Sequence, residues 1–141
     1  RALLEAEIPV MGHIGLTPQS VLGMGGYRVQ GRGEEAADVL VRDAEAIAHA
    51  GVFSMVLEGI PGEVAARITA AVDVPTIGIG AGSSCDGQVL VYHDLLGMTA
   101  GESPKFVRRY AEVRELQIEA IKRWANDVRE KGFPSPGETY S

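Results

Sequence analysis

Short apolar runs alternate along this chain with stretches of helical periodicity, and polar or glycine-rich loops lie between them. Ile8 to Ile14 contains the first run, and Leu3, Leu4 and Ala6 before it suggest the end of a preceding helix. From Glu34 to Ala50 apolar side chains recur with helical spacing at Ala37, Leu40, Ala44, Ile47 and Ala48. Gly51 stops that helix, because glycine enters the left-handed region without steric penalty. Phe53 to Leu57 predicts a second strand, whose nearly continuous hydrophobicity marks burial on both faces. Pro61 suits the first turn of a helix carrying Val64, Ala65, Ile68 and Ala71. Val74 to Ile79 predicts the third strand and Val89 to Tyr92 the fourth, after a loop over Gly80 to Gly87. Pro104 to about Tyr110 predicts one more helix. Val113, Leu116, Ala120, Ile121, Trp124 and Val128 mark the last, which ends before Gly132 and Pro134.

Strands separated by helices or crossover-length segments suit parallel pairing. Four of them can make a small open sheet. They can equally form half of a (β/α)8 barrel, which needs roughly 250 residues, against the 141 of this chain. Periodicity does not choose between these, because both bury strands between layers. A half barrel would expose two raw sheet edges and an opened core, and so would need a partner half.

Composition narrows the functional classes. With 19 acidic against 13 basic residues the formal charge is -6, which gives no electrostatic footprint for nucleic acid. Apolar runs such as Val89 to Tyr92 are far too short to cross a bilayer. Cys85 is the only cysteine, so no internal disulfide can form and a reducing compartment is the default. The chain begins at Arg1 rather than methionine, so native targeting information can be missing.

In α/β folds, ligands bind beyond the carboxyl ends of the strands. His13 closes the first strand, Glu58 the second, and His93 with Asp94 the fourth. Glu58 follows Phe-Ser-Met-Val-Leu and precedes Gly59, so a carboxylate emerges at the edge of an apolar layer. Partial burial would raise its pKa toward the range useful to a general base; the plainer alternative is a solvated or salt-bridged loop glutamate. His13 could donate to a substrate carboxylate or keto oxygen, or serve as a structural hydrogen-bonding group. His93 and Asp94 fit a supporting role, since adjacent strand residues point to opposite faces. The wide spacing of these four residues makes no recognisable metal motif.

Gly78-Ile79-Gly80-Ala81-Gly82 superficially resembles a phosphate cradle but lacks both the dinucleotide and the P-loop fingerprints. Its glycines are better suited to a tight turn and a close backbone approach beside a ligand. The segment from Gly23 through Met24 to Arg32 could cover a site as a mobile loop, settle against another subunit, or form an ordinary surface loop. Cys85 has no basic neighbourhood that would make it a nucleophile.

These residues carry a resemblance to ketopantoate hydroxymethyltransferase. His13-Ile14-Gly15-Leu16-Thr17-Pro18-Gln19-Ser20 resembles that family's characteristic segment, and Gly25-Gly26-Tyr27-Arg28-Val29-Gln30-Gly31-Arg32 continues it. Val56-Leu57-Glu58, Ile77 to Gly82, Cys85 to Val91, Phe133-Pro134 and the tail with Glu138 resemble it further. The resemblance covers essentially the whole chain but only the second half of a family member.

The resemblance implies the second half of a (β/α)8 TIM barrel, strands five to eight with their helices, so that residues 1–141 would form a partial barrel domain without its first half. It implies transfer of a hydroxymethyl group from 5,10-methylenetetrahydrofolate to 3-methyl-2-oxobutanoate, giving 2-dehydropantoate for pantothenate and coenzyme A synthesis. It further implies magnesium or another divalent metal, held by residues of the missing half. Glu58 takes the place of the proton-abstracting base and His13 that of a contact to substrate or product. A cytoplasmic homo-oligomer, typically a decamer of dimer-related pentamers, is expected, with little activity in this segment alone. Two other readings stay open: a related metal-dependent oxo-acid lyase or transferase, and a non-catalytic assembly half-domain.

Overall fold

The computed structural model describes residues 1–23 and 25–140; Met24, within the glycine-rich segment, and Ser141 lie outside the described residues. The chain divides into two compact units, the first from Arg1 to Leu90 and the second from Val91 onward.

The first unit runs α1 (Ala2–Glu5), β1 (Met11–Gly15), a 3-10 turn (Pro18–Ser20), α2 (Glu34–Ala50), β2 (Ser54–Glu58), α3 (Gly62–Ala71), β3 (Thr76–Ile79) and β4 (Gly87–Gln88). The strands form one parallel sheet in the order β1-β2-β3-β4. Three of the four expected strands are present, as are the two expected crossover helices and, in α1, the helix end expected around Leu3 and Leu4. The strand cores shift a residue or two towards the carboxyl end, so that Glu58 is the last residue of β2.

Side chains alternate across a strand, and parallel register places paired residues on the same face. Met55 and Leu57 of β2, both 0% exposed, point with Ile14 of β1 into the layer of Ala37, Ala44, Val64, Ala65 and Ile68 from α2 and α3. A Cβ on Gly12 would lie 2.8 Å from Ile47 Cγ2, so α2 presses directly on β1. Helix α2 ends where expected, at Gly51 with φ 102°. The opposite face of the sheet therefore carries His13, Val56, Glu58, Ile77 and Ile79.

No helix separates β3 from β4. The loop between them puts Ala81 into the core, where a crossover helix would otherwise pack, and Gln88 Nε2 donates to the Gly82 carbonyl at 2.9 Å. At its far end Asp86 is stapled to the start of β3. Asp86 Oδ2 accepts from the Thr76 backbone N–H at 2.8 Å and from the Thr76 hydroxyl at 3.0 Å. With its proton committed there, the Thr76 oxygen accepts from Thr69 of α3 at 2.9 Å.

This staple corrects the fourth strand expected over Val89 to Tyr92. It sets Gly87 opposite Ile77 and Gln88 opposite Gly78. Val89 makes one more bond to the Gly78 carbonyl at 3.0 Å. With β3 ending at Ile79, the chain has no further partner there and leaves the sheet. Tyr92 begins α4 (Tyr92–Leu95) in the second unit, so His93 and Asp94 sit on a helix rather than closing a strand.

The second unit continues through an irregular segment to α5 (Val113–Arg129) and a 3-10 turn (Pro136–Glu138). The helix expected from Pro104 to Tyr110 does not form; only a turn closed by the Val107 N–H on the Pro104 carbonyl is present. The Arg109 guanidinium reaches back to donate to Ser103 Oγ at 3.1 Å and to the Gly101 carbonyl at 2.9 Å, which ties the segment into a loop. Among the described residues no helix is long and apolar enough to cross a membrane.

The Thr76 backbone N–H, then its hydroxyl, holds the Asp86 carboxyl below its ordinary value of 3.8. A carboxyl depressed in the folded state stabilises the fold above its unfolded-state pKa, and that contribution fades as pH falls through the native value. Asp86→Asn is therefore expected to lower the urea midpoint at neutral pH, with the difference from the parent shrinking below about pH 4. A difference that stays constant from pH 7 to pH 3 would contradict the staple.

Candidate active site at the carboxyl ends of the strands

Glu58 ends β2 and lies opposite Gly15, the last residue of β1, while His13 lies opposite Val56. His13 and Glu58 are thus diagonal neighbours on one face, one pleat apart. His13 Nε2 is 3.0 Å from Glu58 Oε2, with the two side chains 32% and 17% exposed. The two residues singled out separately in the sequence form a single hydrogen-bonded pair.

The backbone explains why they meet. Gly15 has φ +87°, and a Cβ there would lie 2.2 Å from the Glu58 carbonyl oxygen and 2.7 Å from Ile60 Cγ2. No side chain fits directly across from Glu58, so the nearest β1 side chain on that face is His13. The Leu16 N–H donates to the Glu58 carbonyl at 2.8 Å, and the Gly59 N–H donates to the Ile79 carbonyl at 2.9 Å. Glu58 is consequently tied to the strands on either side.

The glycine-rich excursion returns to the same place. The Gln30 N–H donates to the Gly59 carbonyl at 2.9 Å, and Gln30 Nε2 donates to the Arg28 carbonyl at 2.8 Å. Both legs of the excursion, Leu16 outbound and Gln30 inbound, are thereby fastened beside the carboxylate, while Tyr27 is 81% exposed. An open cleft of about 410 Å³ lies under this segment, on the α2 side of β1, lined by Ile14, Thr17, Gln30, Gly31 and Leu40. It includes neither His13 nor Glu58.

The remaining sequence candidates fall elsewhere. A Cβ on Gly82 would sit 3.0 Å from Gly62 Cα, so the Gly78 to Gly82 run serves a close approach of loop to helix α3. Asp94 Oδ1 accepts from Thr99 Oγ1 at 2.6 Å, and His93 stacks edge-on against Tyr92 at 5.4 Å. Burial is the largest effect on the Cys85 thiol and pushes it above its ordinary value. That environment does not make a nucleophile. Among the described residues no three His, Cys, Asp or Glu are grouped to hold a metal ion. Gln30 was missed by sequence reasoning. Its signal is a backbone bond, and no residue pattern announces one.

A parallel sheet with alternating helices, bearing its polar pair at the carboxyl ends of the strands, defines an α/β protein whose first unit is consistent with half of a (β/α)8 barrel. The family model described as ketopantoate hydroxymethyltransferase matches residues 1–136, and the chain belongs to that family. It is 56% identical over 140 residues to the 3-methyl-2-oxobutanoate hydroxymethyltransferase 2 of Bradyrhizobium diazoefficiens, covering 99% of this chain and 48% of that protein. It is 59% identical over 138 residues to the 3-methyl-2-oxobutanoate hydroxymethyltransferase of Koribacter versatilis, covering 98% of this chain and 47% of the relative. For the enzyme of that name from Syntrophotalea carbinolica the identity is 53% over 141 residues, covering 100% and 53%. The chain spans about half the length of these relatives.

The role of Gly15 is directly testable. Gly15→Ala combines a left-handed backbone with a clash against main chain, whereas Gly26→Ala has φ +101° but nothing within 4 Å among the described residues. Gly26→Ala is expected to lower stability by about 1 kcal/mol, and Gly15→Ala by at least about 3 kcal/mol. Denaturant midpoints measure both, and equal losses would show that the approach to Glu58 is not tight.

Proposed function

We propose that this chain is the carboxy-terminal half of a (β/α)8 barrel, contributing strands five to eight, and that the complete barrel transfers a hydroxymethyl group from 5,10-methylenetetrahydrofolate to 3-methyl-2-oxobutanoate. Family membership and the half-length match to relatives support this reading. The observation that carries it is Glu58: a mostly buried carboxylate, fixed by its own backbone, at the end of a strand where barrel enzymes place their chemistry.

The oxo acid has a single hydrogen on C3, next to its keto carbon. Glu58 takes that proton, and the C–H electron pair moves into a C2–C3 double bond as the keto oxygen becomes an enolate. C3 of the enolate then bonds to the one-carbon unit of the folate donor as that carbon's two bonds to the folate nitrogens break. One water supplies the hydroxyl oxygen, its two protons go to the nitrogens, the proton held by Glu58 completes the hydroxyl, and the products are 2-dehydropantoate and tetrahydrofolate. Folate supplies the reactive carbon, and the protein supplies orientation and the base. Magnesium or another divalent ion would stabilise the enolate oxygen, but the residues described here are not grouped to hold one. Its ligands belong to the complementary half. A cytoplasmic homo-oligomer, in the family's case a decamer, belongs to the same reading and rests on the family and its bacterial members alone.

Glu58→Gln in the complete barrel is expected to reduce kcat for 2-dehydropantoate formation by about 100-fold or more, with KM for the oxo acid changed by no more than about threefold. Turnover equal to the parent would remove Glu58 from the role of base. Failure of the folded parent complex to make product from both substrates and magnesium would overturn the activity itself.

A further inference from the structure

We propose that His13 is the positioning residue of Glu58, gripping one carboxylate oxygen through Nε2–H so that the other, Oε1, is the oxygen that receives the substrate's proton. The inference rests on Glu58 being the base and concerns what holds that base in place.

An ionised carboxylate has no hydrogen to give, so in a 3.0 Å contact between His13 Nε2 and Glu58 Oε2 the imidazole is the donor. Among the described residues no other side chain bonds either carboxylate oxygen of Glu58, and none bonds His13 Nδ1. The parallel register puts Gly15, Val56, Ile77 and Ile79 around Glu58 on this face. None of them carries a hydrogen-bonding or titratable side chain. Gly15, which the backbone requires, also removes the side chain that would have packed against Glu58 from directly opposite. The main chain of Glu58 is fixed, but its side chain has one tether, and that tether is His13.

The arrangement also limits what His13 can do for a ligand. A neutral imidazole has one N–H, and it is committed to Glu58, leaving Nδ1 as an acceptor. Such a ring cannot donate to a keto or carboxylate oxygen of the oxo acid without releasing the base. Positioning the base and donating to the substrate are therefore exclusive roles for the neutral ring. When Glu58 removes the C3 proton, the new O–H bond forms on Oε1, the electron pair passes to the enolate, and the imidazole keeps its own proton throughout.

The test measures deuterium exchange at C3 of 3-methyl-2-oxobutanoate in the complete barrel, which reports proton abstraction apart from one-carbon transfer. His13→Ala is expected to lower kcat for exchange by about 100-fold, the effect of a misplaced reacting group, with KM within about twofold. His13→Gln, whose amide N–H sits near the position of Nε2, should recover at least about tenfold of that loss. A raised KM with kcat preserved would make His13 a substrate contact only, and equal losses in the two variants would exclude the N–H donor; either overturns the proposal. Glu58→Gln is measured in parallel. If it abolishes exchange while His13→Ala matches the parent, the positioning role falls and the base survives. If exchange survives it, both fall. Independently of activity, nitrogen NMR on this chain with labelled histidine, assigned by the loss of a signal in His13→Gln, should show Nε2 protonated in the parent and that preference lost in Glu58→Ala. An Nδ1–H tautomer in the parent would overturn the proposal.

Discussion

Hydrogen bonds converge on the peptide linking Glu58 to Gly59, and the candidate site is organised around them. Its carbonyl receives the Leu16 N–H from just past β1, its N–H goes to Ile79 of β3, and the next carbonyl, of Gly59, receives the Gln30 N–H from the returning excursion. At the end of a parallel sheet, backbone groups would otherwise face a half-buried environment unpaired, which is unfavourable by a few kcal/mol for each group. Here that requirement is met by drawing three chain segments onto two consecutive residues, Glu58 and Gly59. A carboxylate whose backbone is fixed from both sides has lost most of the freedom that would let it drift, and only its own side-chain torsions need further restraint.

The same sheet is asymmetric in a way that follows from its strands. Met55 and Leu57 fill the layer under α2 and α3, while Val56, Glu58, Ile77 and Ile79 share the other face with His13. In a closed barrel such a face is the interior, where apolar side chains fill the lower layers and polar groups appear at the top. Strands β1 and β4 are the two edges of this sheet. Edges of that kind are ordinarily paired or covered, which agrees with a chain that matches half the length of its relatives.

What the sequence revealed depended on how local each determinant is. Helix α2 was legible because its periodicity and the stopping residue Gly51 both lie within the segment. Glu58 was legible as a strand-end residue for the same reason, whereas His13, expected to close β1, lies two residues before its end at Gly15. The bond between them was not, because it depends on β1 and β2 pairing in parallel with Gly15 opposite Glu58, a register no single segment specifies. The two misread elements failed for a related cause. Val89 to Tyr92 has strand composition, but the Asp86 staple sets Gly87 and Gln88 against Ile77 and Gly78 of a β3 that is only four residues long, which leaves little of that strand for the residues after them. The stretch after Pro104 has a good helix start, yet the guanidinium of Arg109 folds back on Ser103 and Gly101. In each case a side chain within or just before the segment bonded to groups outside it and outweighed a weak local preference, as expected when propensity meets specific contacts.

The two ends of the sheet carry different duties. At the amino end, Asp86, Thr76 and Thr69 form a closed chain of donors and acceptors with each proton assigned. At the carboxyl end, the His13–Glu58 pair keeps one nitrogen and one oxygen without a side-chain partner among the described residues. A satisfied network has nothing left to offer a ligand and contributes by holding strands in register. The free nitrogen and oxygen of the other are reached by solvent, since no buried side-chain polar atom among the described residues lacks a partner, and they stay available to a bound molecule. This division matches the general behaviour of parallel barrels, in which the amino ends of strands serve stability and the carboxyl ends serve chemistry. On the proposed reading, a substrate depends on Glu58 and on the His13 that holds it, and not on the more extensively bonded Asp86.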